Sequence, residues 1–156
     1  MDPRLALVAL VHGALLGIGG WLTVIDIRTH RLPNRIVLPT LASLILLVVI
    51  DAVVSAQSAP MIRALLGLLV LAGFYALLRL ISRSGMGGGD VKLAAVIGLV
   101  LGWHGWQQLA IGAASAFVLG SLFALALMLL RQADGATRIA FGPWMIAGAL
   151  LGILVG

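Results

Sequence analysis

Apolar runs about as long as a bilayer is thick follow one another along this chain, with only short polar segments between them. Crossing the hydrocarbon core takes about 20 apolar residues in helical conformation. Such runs occupy residues 5–25, 36–54, 61–81, 91–106, 109–130 and 141–155. Inside a membrane only helices and closed barrels satisfy every backbone polar group. These runs are continuous rather than alternating, which selects helices. The expected architecture is therefore all-α: a polytopic integral membrane protein of six transmembrane helices, forming one domain over residues 1–156. Composition excludes the soluble alternative, since 62% of the 156 residues are apolar, 10% are charged, and the mean hydropathy is +1.20. An ordinary soluble domain carries about 25% charged residues. Disorder needs the opposite balance of hydropathy and charge. The first run is too long for the apolar core of a signal peptide and is read as a retained helix. The fourth is the weakest and is expected to be tilted or half-buried.

The few charges set an orientation. Ten basic residues stand against five acidic ones, for a net charge of +5. They lie at the ends of apolar runs, which points to membrane orientation rather than to nucleic acid. With six spans, one side carries only Arg4 and Arg63. The other carries Arg28, Arg31, Arg35, Arg79, Arg83, Lys92, Arg131 and Arg138. Short basic loops stay in the cytoplasm. Both termini are thus expected outside a multi-pass inner or plasma membrane protein, and the loops holding Asp26 and Asp90 inside.

Other residues refine this frame. Glycine recurs every fourth position in Gly13/Gly17, Gly98/Gly102 and Gly148/Gly152/Gly156. That spacing lets helices approach closely in lipid, although membrane helices are glycine-rich in any case. Pro39 falls in the first turn of the second run, where proline is tolerated. Trp21, Trp103, Trp106 and Trp144 lie near span ends and read as interfacial anchors. The chain has no cysteine, which excludes disulfides and thiolate chemistry. His12, His30 and His104 form no metal constellation, and Ser115 has no histidine at its depth. Neither a metal nor a cofactor is expected.

The acids are Asp2, Asp26, Asp51, Asp90 and Asp134. Asp2 and Asp134 are expected in solvent, and Asp51 is read as an interfacial charge, the alternative being that it marks a pathway. Asp26 and Asp90 both sit where an apolar run meets a basic loop, at the same expected depth. Position alone allows a span end in water or a functional pair at membrane depth. The flanks are more telling. Asp90 lies in Gly85-Met86-Gly87-Gly88-Gly89-Asp90-Val91-Lys92-Leu93, where glycines strip away side chains and let backbone approach an extended peptide. It is neither a dinucleotide fingerprint nor a P-loop, having no preceding strand and no G-K-[ST]. Asp26 lies in Asp26-Ile27-Arg28-Thr29-His30-Arg31-Leu32-Pro33-Asn34, which ends in Pro-Asn at the entry to the second run.

Gly87-Gly88-Gly89-Asp90 resembles the GxGD motif of intramembrane aspartic proteases. Residues 85–93 and 26–34 resemble the two active-site motifs of prepilin peptidases, and Phe141-Gly142-Pro143 resembles the start of that family's last helix. The resemblance covers most of the chain. It implies an aspartic endopeptidase whose catalytic pair is Asp26 and Asp90, with Gly87, Gly88, Gly89 and Lys92 shaping the site or its substrate contacts. Lys92 has three readings: tuning the pair, holding a substrate carbonyl, or snorkelling to the interface. The implied substrate is a prepilin or pseudopilin, whose basic leader would meet both Asp loops at the cytoplasmic face. Longer family members carry an N-terminal cysteine-paired domain with methyltransferase activity. With no cysteine, this chain resembles the short peptidase-only form, and methylation is not expected. Two further classes remain open: a small cation transporter, and a non-catalytic membrane subunit of a pilus or secretion assembly.

Overall fold

The computed structural model describes Gly13, Gly17 and residues 34–81, 87–130 and 141–156. Its extended elements are five helices: α1 (Asn34–Ser55), α2 (Ala59–Ile81), α3 (Gly88–His104), α4 (Trp106–Leu129) and α5 (Gly142–Val155). Each falls on one of the last five apolar runs. The first run lies outside the described residues except for Gly13 and Gly17, which are helical. Three helices, α1, α2 and α4, are long and apolar enough to cross a membrane. Their outer faces expose residues such as Val53, Leu69 and Leu129, as lipid-facing helices do.

Local chemistry sets the helix ends. Helix α1 starts two residues before its apolar run, so Pro39 falls in the second turn rather than the first. Proline has no N–H to give the Arg35 carbonyl. The neighbouring Thr40 hydroxyl donates to the Ile36 carbonyl at 2.7 Å. The C-terminus of α1 closes with Gln57 N–H donating to Ala52 O at 3.2 Å and Ala56 N–H to Val53 O at 3.4 Å. These two bonds form a Schellman motif, with Ala56 at a φ of 54° where glycine is usual. Pro60 then opens α2 where a missing N–H costs nothing.

The shortest of the first four helices is also the most enclosed. Every residue of α3 from 93 to 103 is buried, so the weak fourth run is the centre of the bundle. A helix apolar all round belongs inside. Helices α1, α2, α4 and α5 all pack on it. Helix α2 meets it antiparallel across backbone. A Cβ at Gly98 would strike the Gly67 carbonyl, and one at Gly102 would lie 2.5 Å from Arg63 O. Helices α4 and α5 close in the same way, since a Cβ on Gly148 would lie 2.5 Å from Gly112 O and one on Gly152 2.6 Å from Gln108 O. Glycine spacing thus marks close helix contacts at Gly98/Gly102 and Gly148/Gly152. At Gly13 and Gly17 a Cβ meets nothing within 4 Å.

Candidate active site around Asp90

Asp90 is the third residue of α3, inside the helix rather than in a loop before it. Gly87 precedes the helix in extended conformation, with φ −73° and ψ 151°. Its N–H donates to Asp90 Oδ2 at 3.0 Å. An acidic residue here also faces the positive end of the helix dipole. Asp90 is nevertheless 7% exposed. The carboxylate is therefore held in one orientation, folded back against the start of its own helix. Gly88 and Gly89 form the first turn, and residues 82–86 lie outside the described set.

No described glycine has a φ in the left-handed region, so what the glycines of this segment offer is room. A Cβ on Gly88 would collide with the Arg79 guanidinium, and one on Gly87 would sit 3.2 Å from Asp90 Oδ2. Arg79 reaches this place from the last turn of α2. Beside it, a cleft of about 480 Å³ is lined by Ala76, Arg79, Leu80 and Val91. Its size suits a small ligand or a short peptide stretch. Lys92 is half-buried in the following turn.

Behind Asp90 lies an aromatic layer. Tyr75 is 1% exposed and close enough to Asp90 for the two to interact electrostatically. Its ring centroid lies 5.6 Å from that of Phe117 and 6.0 Å from that of Phe141. Phe141 caps α5 and covers Gly120. The Phe141-Gly142-Pro143 motif thus packs on Tyr75, which lies within electrostatic reach of Asp90. No motif pointed to Tyr75; the available hint was that it is the chain's one tyrosine. Asp26 and its motif lie outside the described residues except Asn34, the first residue of α1, and the structure does not place the pair. Asp2, His12, Trp21, His30 and Asp134 also lie outside.

Two sequence readings need correction. Asp51 is not an interfacial charge: it is 3% exposed, and its Oδ2 accepts a hydrogen bond from Trp103 Nε1 at 2.9 Å. Trp103 is accordingly not an interfacial anchor but a buried donor, 7% exposed. A tryptophan near a span end sits at the interface only when no neighbouring helix covers it, and here α1 and α2 do. Arg63 of α2 also approaches Trp103, with Nη2 at 3.5 Å from its carbonyl. Trp106, by contrast, is exposed, and Trp144 is half-buried against Phe123. His104 contacts the Val100 carbonyl through Nδ1 at 2.9 Å. Among the described residues no three metal-ligating side chains come together.

The type IV leader peptidase family matches residues 13–130. A prepilin leader peptidase/N-methyltransferase of Aeromonas salmonicida is 35% identical over 136 residues, covering 86% of this chain and 45% of the relative. One of Dickeya chrysanthemi is 35% identical over 157 residues, covering 99% and 53%. One of Bacillus subtilis is 35% identical over 136 residues, covering 85% and 50%. The chain spans about half the length of the curated relatives it matches. No solved structure matches.

Proposed function

The chain belongs to the type IV leader peptidase family, and on that premise we propose that it is a membrane-embedded aspartic endopeptidase that removes the leader peptide from prepilin-like precursors, with Asp26 and Asp90 as its catalytic pair. The observation that carries this reading is Asp90 itself. It is a buried carboxylate, oriented by the Gly87 N–H, and the next residue, Val91, lines a cleft between α2 and α3.

Two carboxylates that share a site do not both ionise cheaply, so such a pair holds one proton near working pH. The ionised member takes a proton from a bound water. The protonated member polarises the scissile carbonyl. Water attacks, and the tetrahedral intermediate collapses with proton transfer to the leaving nitrogen. The pair titrates as a unit. The Gly87 hydrogen bond supports this chemistry by limiting the rotation of one partner, which keeps it in attack geometry.

The fuller reading is a six-helix protein of the plasma membrane with both termini outside and the pair at the cytoplasmic face. The uneven split of basic residues supports it. In that frame α3 starts at the cytoplasmic face. The apolar helix of a pilin precursor would lie in the bilayer and present its basic leader there. Co-expression with a candidate prepilin tests the function. Leader removal, seen as a gel shift, should require both Asp26 and Asp90. A chain that leaves every such precursor uncut at normal abundance refutes the reading.

A further inference from the structure

The buried Asp51–Trp103 hydrogen bond has no part in the chemistry above. Asp51 belongs to a stripe on α1 made of Val37, Leu41, Leu44, Val48 and Asp51. Four of these are buried, at 0%, 3%, 4% and 3% for Val37, Leu44, Val48 and Asp51, and Leu41 packs partly buried against the same core. The steps of four, three, four and three residues make a heptad-type seam. Asp51 is its one polar member. Trp103, its partner, lies on α3, with an offset of 52 residues between the two.

A three-residue turn joins α1 to α2, and α2 runs antiparallel to α3, so α1 and α3 run in the same direction. Carried along the seam, the same offset would set Val48 opposite Val100, Leu44 opposite Val96 and Leu41 opposite Leu93. All six are buried or packed against the core. A seam of Val and Leu alone resists sliding weakly, because each apolar side chain finds another apolar hole after a slip of three or four residues. A slip of one turn moves a helix about 5.4 Å. A polar pair forbids it, since the slipped state leaves an indole N–H and a carboxylate facing hydrocarbon.

The N-terminal ends of the two helices carry the consequence. Asp90 is in the first turn of α3. The segment bearing Asp26 enters α1 at Asn34, eight residues further along the chain. We propose that the Asp51–Trp103 hydrogen bond is a register latch: it fixes the height of α1 against α3 and so aligns the segments that bring Asp26 and Asp90 together. Asp51 and Trp103 are positioning residues, acting about 20 Å from Asp90 through two rigid helices. The proposal rests on the peptidase reading only for its effect on cleavage; the register itself is independent of it.

The cysteine-free chain offers a clean background for disulfide mapping in native membranes. In the otherwise unaltered protein, the pair Leu44→Cys/Val96→Cys should cross-link. The pairs Leu41→Cys/Val96→Cys and Leu44→Cys/Leu93→Cys, each displaced by three residues, should not. With Asp51→Leu and Trp103→Phe added together, the seam is wholly apolar and the protein should still accumulate. The displaced pairs should now cross-link to a similar yield. Without the cysteines, this double variant should lose roughly ten- to a hundred-fold in kcat while KM stays within about two-fold. Asp51→Asn, which keeps an acceptor for the indole, should cleave nearly normally. A merely stabilising pair predicts the reverse for the double variant: reduced accumulation with cross-links in register and normal kcat per molecule. If it fails to accumulate, Asp51→Leu alone is read in the same way, since it removes the acceptor and leaves a neutral N–H rather than a charge without that partner. Cross-linking that stays in register overturns the latch. Slipped cross-links with an unchanged kcat overturn its link to the catalytic pair. If the unaltered chain cleaves no prepilin, the peptidase reading falls, and the cross-links still decide the register.

Discussion

The N–H of Gly87 donates to Oδ2 of Asp90 at 3.0 Å, three residues along the chain. This is half of a capping box, the half made by the acidic side chain, because glycine has no side-chain oxygen to complete it. The same bond begins helix α3 and aims the carboxylate, so the start of the helix and the candidate site are one structure.

Asp90→Asn should abolish leader cleavage at unchanged membrane abundance, and Asp26→Asn should do the same. Asparagine keeps the size of the side chain and, at position 90, an acceptor for Gly87, but it ends the sharing of a proton. The check is a gel-shift assay on a co-expressed prepilin, normalised to the amount of protein in the membrane. Processing at near wild-type rate by either variant contradicts the mechanism.

The glycines before Asp90 should respond according to what a Cβ would meet. At Gly87 it would crowd the carboxylate at 3.2 Å, whereas at Gly88 it would meet the movable end of Arg79. Gly87→Val should cut kcat by about ten-fold or more through displacement of the carboxylate. Gly88→Ala should be milder, because Arg79 can swing aside. Single-turnover cleavage rates at matched abundance would separate the two.

Gly98→Ala should loosen the bundle and Gly73→Ala should not. The first Cβ meets the backbone carbonyl of Gly67, which cannot move without separating α2 from α3; the second meets nothing within 4 Å. Overpacking of this kind costs about 1–3 kcal/mol. A lower unfolding midpoint in detergent for Gly98→Ala, beside an unchanged or higher one for Gly73→Ala, is the expected result.

Topology can be read independently of activity. A reporter fused after Gly156 should behave as external and one inserted near Thr29 as cytoplasmic, following the two-against-eight split of basic residues. A cytoplasmic C-terminus beside a cytoplasmic Thr29 would require an even number of spans between them instead of five, with the run 91–106 the first to doubt.

The helices themselves were legible in the chain, and each physical cue had a local cause. The run 36–54 became α1, a helix with slightly wider bounds, because continuous apolar residues in a membrane have no other way to satisfy their backbone. Asp90 was legible from its glycines, and Phe141 from the Gly-Pro after it. Asp51 and Trp103 were misread for a common reason: depth along a span can be counted from the sequence, but which neighbour covers a given face cannot. Their one signal was the seven-residue spacing of Val37, Leu44 and Asp51, which puts Asp51 on a packed seam.

By itself, then, the sequence determined the helical class, the positions of the apolar runs and the residues that carry the family motifs. These follow from backbone hydrogen bonding and from side chains close together in the chain. Only the tertiary structure decided that α3 lies at the centre, that Tyr75 packs on Phe141 within electrostatic reach of Asp90, and that Asp51 pairs with Trp103. In water, hydrophobicity would tell the inside of a helix from its outside. In lipid the surroundings are as apolar as the core, so Leu and Val fit either face. The choice then falls to shape, through Gly67, Gly98 and Gly102, and to the buried polar pair that holds α1 and α3 in one register.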